Sequence, residues 1–332
     1  MPQFRQNFIT KEWVIIAPER SKRPDQFAKT VEKRKERPAH DPKCPFCPGN
    51  ENQTPPAVFT QKTGDSWSSR VVPNKFAAVN PELSPKRTNV GKFLTADGFG
   101  RAEVVIESPR HDATLATMST GEVRDVLECY KNRYMDLAKD QKVDMITIFR
   151  NHGAKAGTSL EHPHSQIIAT PIVPPHVRQL MQQAILYHDS YGQCPHCVML
   201  EEELKQKERI IFEGKHFVVF SLFASHTPFE TRIIPKRHYS RFDSITEEEM
   251  GELAEILRVT LKKIHVGLND PDYNFVITSS PISDGEVHYD HCRLVIVPRL
   301  TTPAGFEIGS GIFINVMLPE ECAKFLREIR VD

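Results

Sequence analysis

Two groups of residues in this chain have types and spacing suited to chemistry. The stretch His162-Pro163-His164-Ser165-Gln166 carries two imidazoles and an amide at alternate positions, and four of the seven cysteines form the pairs Cys44/Cys47 and Cys194/Cys197. On an extended backbone, side chains two residues apart share a face. His162, His164 and Gln166 are therefore expected on one face of a strand, with Pro163 and Ser165 on the other. Pro163 has no N–H for a ladder, which suits the start or edge of a strand. A neutral imidazole is a nucleophile or general base near pH 7. A Cys-x-x-Cys pair joined by two histidines is a tetrahedral donor set for zinc, although a bare pair also suits a redox motif or two core thiols.

The elements that must position these residues can be read in chain order. Residues 8–18 predict a strand closed by a basic turn, and 28–43 are charged and proline-containing, a solvated loop. A strand at 102–108 runs into Pro109-Arg110-His111. Ser119 and Glu122 then form a capping box ahead of Val123, Val126, Leu127, Tyr130, Tyr134 and Leu137 at helical spacing. A strand at 144–151 and a glycine-bearing turn at 151–159 lead to the His-Pro-His strand. After Pro171 the order recurs: a helix at 175–191, Cys194/Cys197, a strand at 230–234 ending in Pro235 and His238, a helix capped by Thr246 and Glu249, a strand at 273–280, and a last strand within 289–298.

Subtraction supports a duplication. Eight residues separate His111 from Ser119 and His238 from Thr246; eleven separate Asn151 from His162 and Ser280 from His291. His111 to His162 spans 51 positions and His238 to His291 spans 53. The units are 1–172 and 173–332. Each supplies four metal-ligand candidates, Cys44, Cys47, His111 and His162 in the first, and Cys194, Cys197, His238 and His291 in the second. Aligned on these histidines, His164 falls opposite Arg293 and Gln166 opposite Val295. A purely structural role does not require that asymmetry, so His164 is the candidate nucleophile or base. Cys129, Cys292 and Cys322 are expected as free thiols.

Lysine plus arginine balance aspartate plus glutamate at 43 each over 332 residues. No basic excess marks a nucleic-acid partner. No stretch has the length of a membrane span, and the first residues carry no apolar leader. The expectation is a cytoplasmic protein with neither nucleic-acid nor membrane partners, and too few cysteines for a disulfide scaffold.

The His-Pro-His-Ser-Gln stretch, the duplicated unit and the paired metal sets together resemble the galactose-1-phosphate uridylyltransferase family, the transferase branch of the histidine-triad superfamily. The resemblance implies an α+β fold of two tandem histidine-triad-like repeats, each an antiparallel sheet with a packed helix, the first repeat catalytic. It implies transfer of UMP from UDP-glucose to galactose 1-phosphate or a related hexose 1-phosphate, through a uridylyl group on His164. Gln166 would hydrogen-bond the α-phosphoryl oxygens; an amide in place of the third histidine of many histidine-triad hydrolases suits a transferase. Gly157 and Ser159 would contact phosphate through backbone N–H groups and a hydroxyl, and Asn151 the nucleotide. Arg20 and Arg23 would lie over the phosphates. Asn74 and Phe76 would contact the nucleoside, with Lys75 where the family has aspartate.

Phe306 and Glu307 would contact the hexose, with Thr301 or its neighbours in place of an expected lysine. Zinc is implied in the first metal set, and zinc or iron in the second. Arg293 replaces a histidine used there by many uridylyltransferases, and the Cys194/Cys197/His238/His291 set is closer to a branch that includes ADP-glucose phosphorylase, which transfers adenylyl to phosphate. A nucleotide hydrolase and a zinc-stabilised binding module are the remaining alternatives. Family members are commonly homodimers, which is the expectation for this chain.

Overall fold

The computed structural model describes every residue except 21–30, 32, 33, 35, 65 and 332. Ten antiparallel strands form one continuous sheet. The first repeat contributes β3 (Phe59–Thr63), β4 (Ser66–Pro73), β7 (Arg101–Ile106), β8 (Met145–His152) and β9 (His164–Thr170). The second contributes β10 (Ile210–Glu213), β11 (Phe217–Ser221), β12 (Thr231–Pro235), β13 (Tyr273–Thr278) and β14 (Arg293–Pro298). The spatial order is β10-β11-β12-β14-β13-β8-β9-β7-β4-β3. Each half is the reverse of the other about the β13–β8 seam, where Tyr273 pairs with His152 and Ile277 with Ile148. The strand order is thus symmetric about this seam, within one sheet rather than two separate ones.

Two long helices cover one face. Helix α1 (Thr120–Leu137) has both capping-box bonds: Ser119 Oγ accepts from Glu122 N–H, and the Glu122 carboxylate accepts from Ser119 N–H at 2.7 Å. All six of its spaced apolar residues are buried. Helices α2 (Pro175–Tyr191) and α3 (Pro195–Gln206) follow, then α4 (Glu247–Leu268), capped by Thr246 and Glu249 in the same way. The core beneath α1 and α4 runs across both halves, from Val71, Val105 and Ile167 to Val219, Phe275 and Ile296. Strand alternation sends the intervening residues to the opposite face. There Val72, Val104 and Ile106 pack on Cys44, Phe46 and Cys47, while Val218, Phe220 and Ile234 pack on Met199 and Leu200 of α3.

The remaining elements are peripheral. Of the strand expected at 8–18 only β2 (Trp13–Ile16) is extended; it forms a hairpin with β1 (Gln3–Gln6), which precedes that stretch, and is joined in parallel by β15 (Phe313–Asn315). The Asn7 side chain breaks the run by accepting from Ile9 and Thr10 N–H groups, an Asx turn that competes with extended pairing. β5 (Arg87–Val90) and β6 (Phe93–Ala96) form an exposed ribbon, and α5 (Gly305–Ser310) and α6 (Pro319–Glu328) close the chain. No helix among the described residues is long and apolar enough to cross a membrane.

Candidate active site and metal centres

β9 is a central strand flanked by β7 and β8, and it begins at His164. Pro163 stands just outside the ladder, contributing only its carbonyl, which accepts from Glu107 N–H at 3.1 Å. From His164 onward the alternation follows the expected faces. His164 and Gln166 line one cavity, while Ser165 is buried on the helix side and accepts from the Tyr130 hydroxyl at 2.7 Å.

The His164 ring is held in one chemical state. Its Nδ1 lies 2.8 Å from the His162 carbonyl, which can only accept, so Nδ1 carries the hydrogen and Nε2 keeps a free lone pair. Burial lowers the His164 pKa, against the raising effect of that same hydrogen bond, and so favours the neutral imidazole. Phe46 packs edge-on to His164, with ring centres 5.5 Å apart, and fixes the ring plane from the side.

His164, Ser159 and Leu160 stand between two cavities of opposite character. One, of about 230 Å³, is walled by Phe46, Val72, Phe76 and Val104, with Asn74, Lys75, Gln53, Thr54 and Gln166 among its polar groups. The other, of about 620 Å³, is lined by Arg34, Arg37, Lys155 and Arg299, with Asn151 on its wall. An apolar slot with aromatic walls suits a nucleobase and ribose, and a cationic one suits phosphate. The nucleophile candidate sits where the two meet.

Other expected contacts are distributed unevenly. Gly157 lines neither cavity, and its N–H is spent on the Ala154 carbonyl at 3.0 Å, as Thr158 N–H is on Gly153. This corrects the expectation that these backbone donors face phosphate: the turn closes on itself as a 3-10 segment, and Gly157 supplies the left-handed φ of 89° that ends it. Ser159 does reach both cavities. Phe306 and Glu307 lie on α5 and line neither; the Glu307 carboxylate instead accepts from Ala304 N–H at 3.0 Å. Arg20 ends a 3-10 turn, Pro18–Arg20, while its side chain and all of Arg23 lie outside the described residues.

Several residues of the site escaped the reading of the sequence. The charged segment 28–43 is not simply solvated. Arg34 pairs with Asp270 and Asp272, each at 2.7 Å, and Arg37 donates to the Glu161 carbonyl at 2.7 Å. Behind His164, Arg150 and Glu107 form a fully buried ion pair at 2.9 Å, and Arg150 also donates to Tyr273 Oη across the seam. The two charges need each other: with Arg150 changed to Met, the buried Glu107 loses its counter-charge. A loss of roughly 3–5 kcal/mol of stability is expected, read as a lower denaturant midpoint with unchanged slope.

The cysteine and histidine sets converge as the spacing implied. In each of the two sets, one donor atom per residue lies within 4.8 Å of all the others. Cys47 Sγ is 3.5 Å from Nδ1 of both His111 and His162, and those two nitrogens are 3.3 Å apart. In the second set Cys197 Sγ is 3.3 Å from His238 Nδ1 and 3.4 Å from His291 Nδ1. Tetrahedral zinc with ordinary Zn–S and Zn–N lengths places its donors roughly 3.5 Å apart, so both sets fit a metal ion. Hydrogen bonds at the outer nitrogens of two of these rings dispose the inner ones for ligation. His162 Nε2 donates to the Ser108 carbonyl at 2.8 Å and His238 Nε2 to Val287 at 2.9 Å, turning Nδ1 inward. Burial pushes the His162 pKa down to about 4, keeping the ring neutral for a ligand role.

Comparison with known proteins follows the same lines. The model of the N-terminal domain of galactose-1-phosphate uridyl transferase matches residues 1–174, and a domain family of unknown function matches 106–330. ADP-glucose phosphorylase of Arabidopsis thaliana is 38% identical, over 99% of this chain and 93% of its own. Galactose-1-phosphate uridylyltransferase of Thermotoga maritima is 29% identical over the whole of both chains. Among solved structures, the Arabidopsis ADP-glucose phosphorylase with bound ADP-glucose superposes with a TM-score of 0.84 at 36% identity, covering all of both chains. A solved uridylyltransferase gives 0.76 at 28% identity, over 98% of this chain and 97% of the other. With its site strand, metal sets and sheet all inside this similarity, the chain belongs to the galactose-1-phosphate uridylyltransferase family.

Proposed function

We propose that this protein moves UMP from UDP-glucose to galactose 1-phosphate, or a related hexose 1-phosphate, by a ping-pong reaction through a covalent uridylyl-His164. The observation that carries the reading is the position of His164, Nε2 free, between an apolar slot and a cationic cavity. Nε2 attacks the α-phosphorus, the P–O bond to the hexose phosphate breaks, and its electrons leave with that group. The hydrogen stays on Nδ1, donated to the His162 carbonyl, which stabilises the positive charge that the ring gains. The acceptor reverses the step, and the ring returns to neutral without a proton transfer.

In this reading Gln166 holds the α-phosphoryl group, Ser159 the phosphates, Asn151 the nucleotide, and Asn74 and Phe76 the nucleoside. Cys44, Cys47, His111 and His162 hold zinc; Cys194, Cys197, His238 and His291 hold zinc or iron. Bound there, the metal supplies cross-linking of the chain. Residues 1–172 form the catalytic repeat and 173–332 its partner repeat, and Phe306 and Glu307 reach a hexose across a homodimer interface.

A second reading has a specific observation in its favour, the 38% identity to an ADP-glucose phosphorylase. It keeps the nucleophile and exchanges uridylyl for adenylyl and the sugar phosphate for inorganic phosphate. Intact-protein mass after brief mixing with UDP-glucose, and separately with ADP-glucose, tests both. A uridylyl increase is the expected result. An adenylyl increase alone moves the protein to the phosphorylase reaction, and no increase with either removes the covalent mechanism.

A further inference from the structure

The charges around the larger cavity are not equivalent. Arg34 is neutralised by Asp270 and Asp272, and Arg150 by Glu107. Arg37, Lys155 and Arg299 also line the cavity, and none of the three forms an ion pair among the described residues. Among the described residues Arg37 is bonded only to backbone oxygens, Glu161 at 2.7 Å and Asp112 at 3.4 Å, so its direction is fixed while carboxylates, those of Asp270 and Glu161, act on its charge only through space. Arg299 comes from the second repeat, just past β14. Its Nε donates to Asn274 Oδ1, leaving the other guanidinium nitrogens for a ligand. Asn274 in turn donates to Asn151 Oδ1 at 2.7 Å and to the Ala156 carbonyl at 2.9 Å. Arg299 is thereby anchored, across the β13–β8 seam, to the turn that carries Ser159.

We infer that Arg37 and Arg299 form the binding site for the phosphate dianion that enters and leaves opposite His164, one arginine from each repeat. This deepens the nucleotidyl-transfer reading and rests on it. Three cations with no carboxylate in contact among the described residues, around a cavity that opens on the nucleophile, repel one another, and a dianion relieves that repulsion. Fork-shaped guanidinium groups suit phosphate oxygens, and a hydrogen bond to a charged group is worth about 1.5–3 kcal/mol. The same subsite would serve the departing and the incoming phosphate, because they occupy one position on opposite sides of a reversible step. The chemistry is shared by a hexose 1-phosphate and by inorganic phosphate.

The test uses enzyme preloaded with nucleotide on His164, then discharged by galactose 1-phosphate, by inorganic phosphate, or by water alone. In Arg299→Gln and Arg37→Gln the half-saturating concentration of the effective phosphate acceptor is expected to rise by roughly 10- to 100-fold. Arg299→Lys should restore part of it, and slow discharge by water should be unchanged. Discharge saturated by galactose 1-phosphate identifies a sugar phosphate as the dianion, and saturation by inorganic phosphate alone identifies the free ion. Unchanged acceptor saturation in Arg299→Gln, on wild-type enzyme that does load, overturns the subsite while leaving the covalent mechanism standing. Failure of the wild type to load with any nucleotide sugar overturns the mechanism instead. Arg299 is exposed, so its variants carry the test even where loss of Arg37 disturbs folding.

Discussion

His164→Ala is expected to abolish the covalent intermediate and to lower turnover by roughly 10⁴-fold or more, as removal of an essential nucleophile does in other covalent enzymes. That factor corresponds to about 5.5 kcal/mol of barrier. No neighbouring group can substitute. The Ser159 hydroxyl has no base in hydrogen-bond contact among the described residues. The position equivalent to His164 in the second repeat is occupied by Arg293, whose guanidinium donates to the His291 carbonyl at 2.7 Å and to Asp290 at 3.0 Å. Arg293 copies the hydrogen bond of His164 to its upstream histidine but has no lone pair to offer. The variant should keep its metal content and melting temperature, since His164 is not in either donor set. Turnover that persists without a mass adduct would mean direct transfer between substrates. A persisting adduct would mean a different nucleophile. Either result removes His164 from the role.

The parts of this molecule that were legible in its sequence are those fixed by local spacing. Both capping boxes, the buried stripe of α1 and the two donor sets depend on residues whose separation is dictated by a helix turn, a strand alternation or a repeat, and each is where the spacing put it. The continuous sheet was not legible. Nothing in the pattern of 144–151 or 273–280 says that these two strands pair with each other, because both faces of each are covered whichever neighbour it takes. The arginines of the larger cavity were lost for a related reason. Arg34 and Arg37 sit in a charged, proline-containing run that reads as solvated, and only its return across the start of β9 and the approach to β13 gives them partners.

The two donor sets, as proposed metal centres, should separate stability from catalysis. Cys47→Ala removes a donor from the first set and Cys197→Ala from the second, and both are expected to lower the melting temperature. Structural zinc contributes about 10–16 kcal/mol of apparent binding free energy in small zinc domains. Losing even ~4 kcal/mol of that lowers Tm by about 6 °C in a chain of this size. The catalytic consequences should differ, because the first set is wired to the nucleophile. His162 directs Nδ1 to the donor set, Nε2 to the Ser108 carbonyl, and its own carbonyl to His164 Nδ1. Releasing the His162 ring from its place in the donor set would therefore loosen the bond that selects the His164 tautomer. In the second set the corresponding carbonyl, that of His291, holds Arg293 and no reacting group. Measured below the melting transition and normalised to folded protein, adduct formation should slow by at least tenfold in Cys47→Ala and stay within about twofold of wild type in Cys197→Ala, tenfold being the ~1.4 kcal/mol equivalent of one lost hydrogen bond. Equal slowing in both variants would show that the metals act on the fold as a whole. No slowing in Cys47→Ala would show that the strand itself, without its metal-bound histidine, is enough to aim the nucleophile.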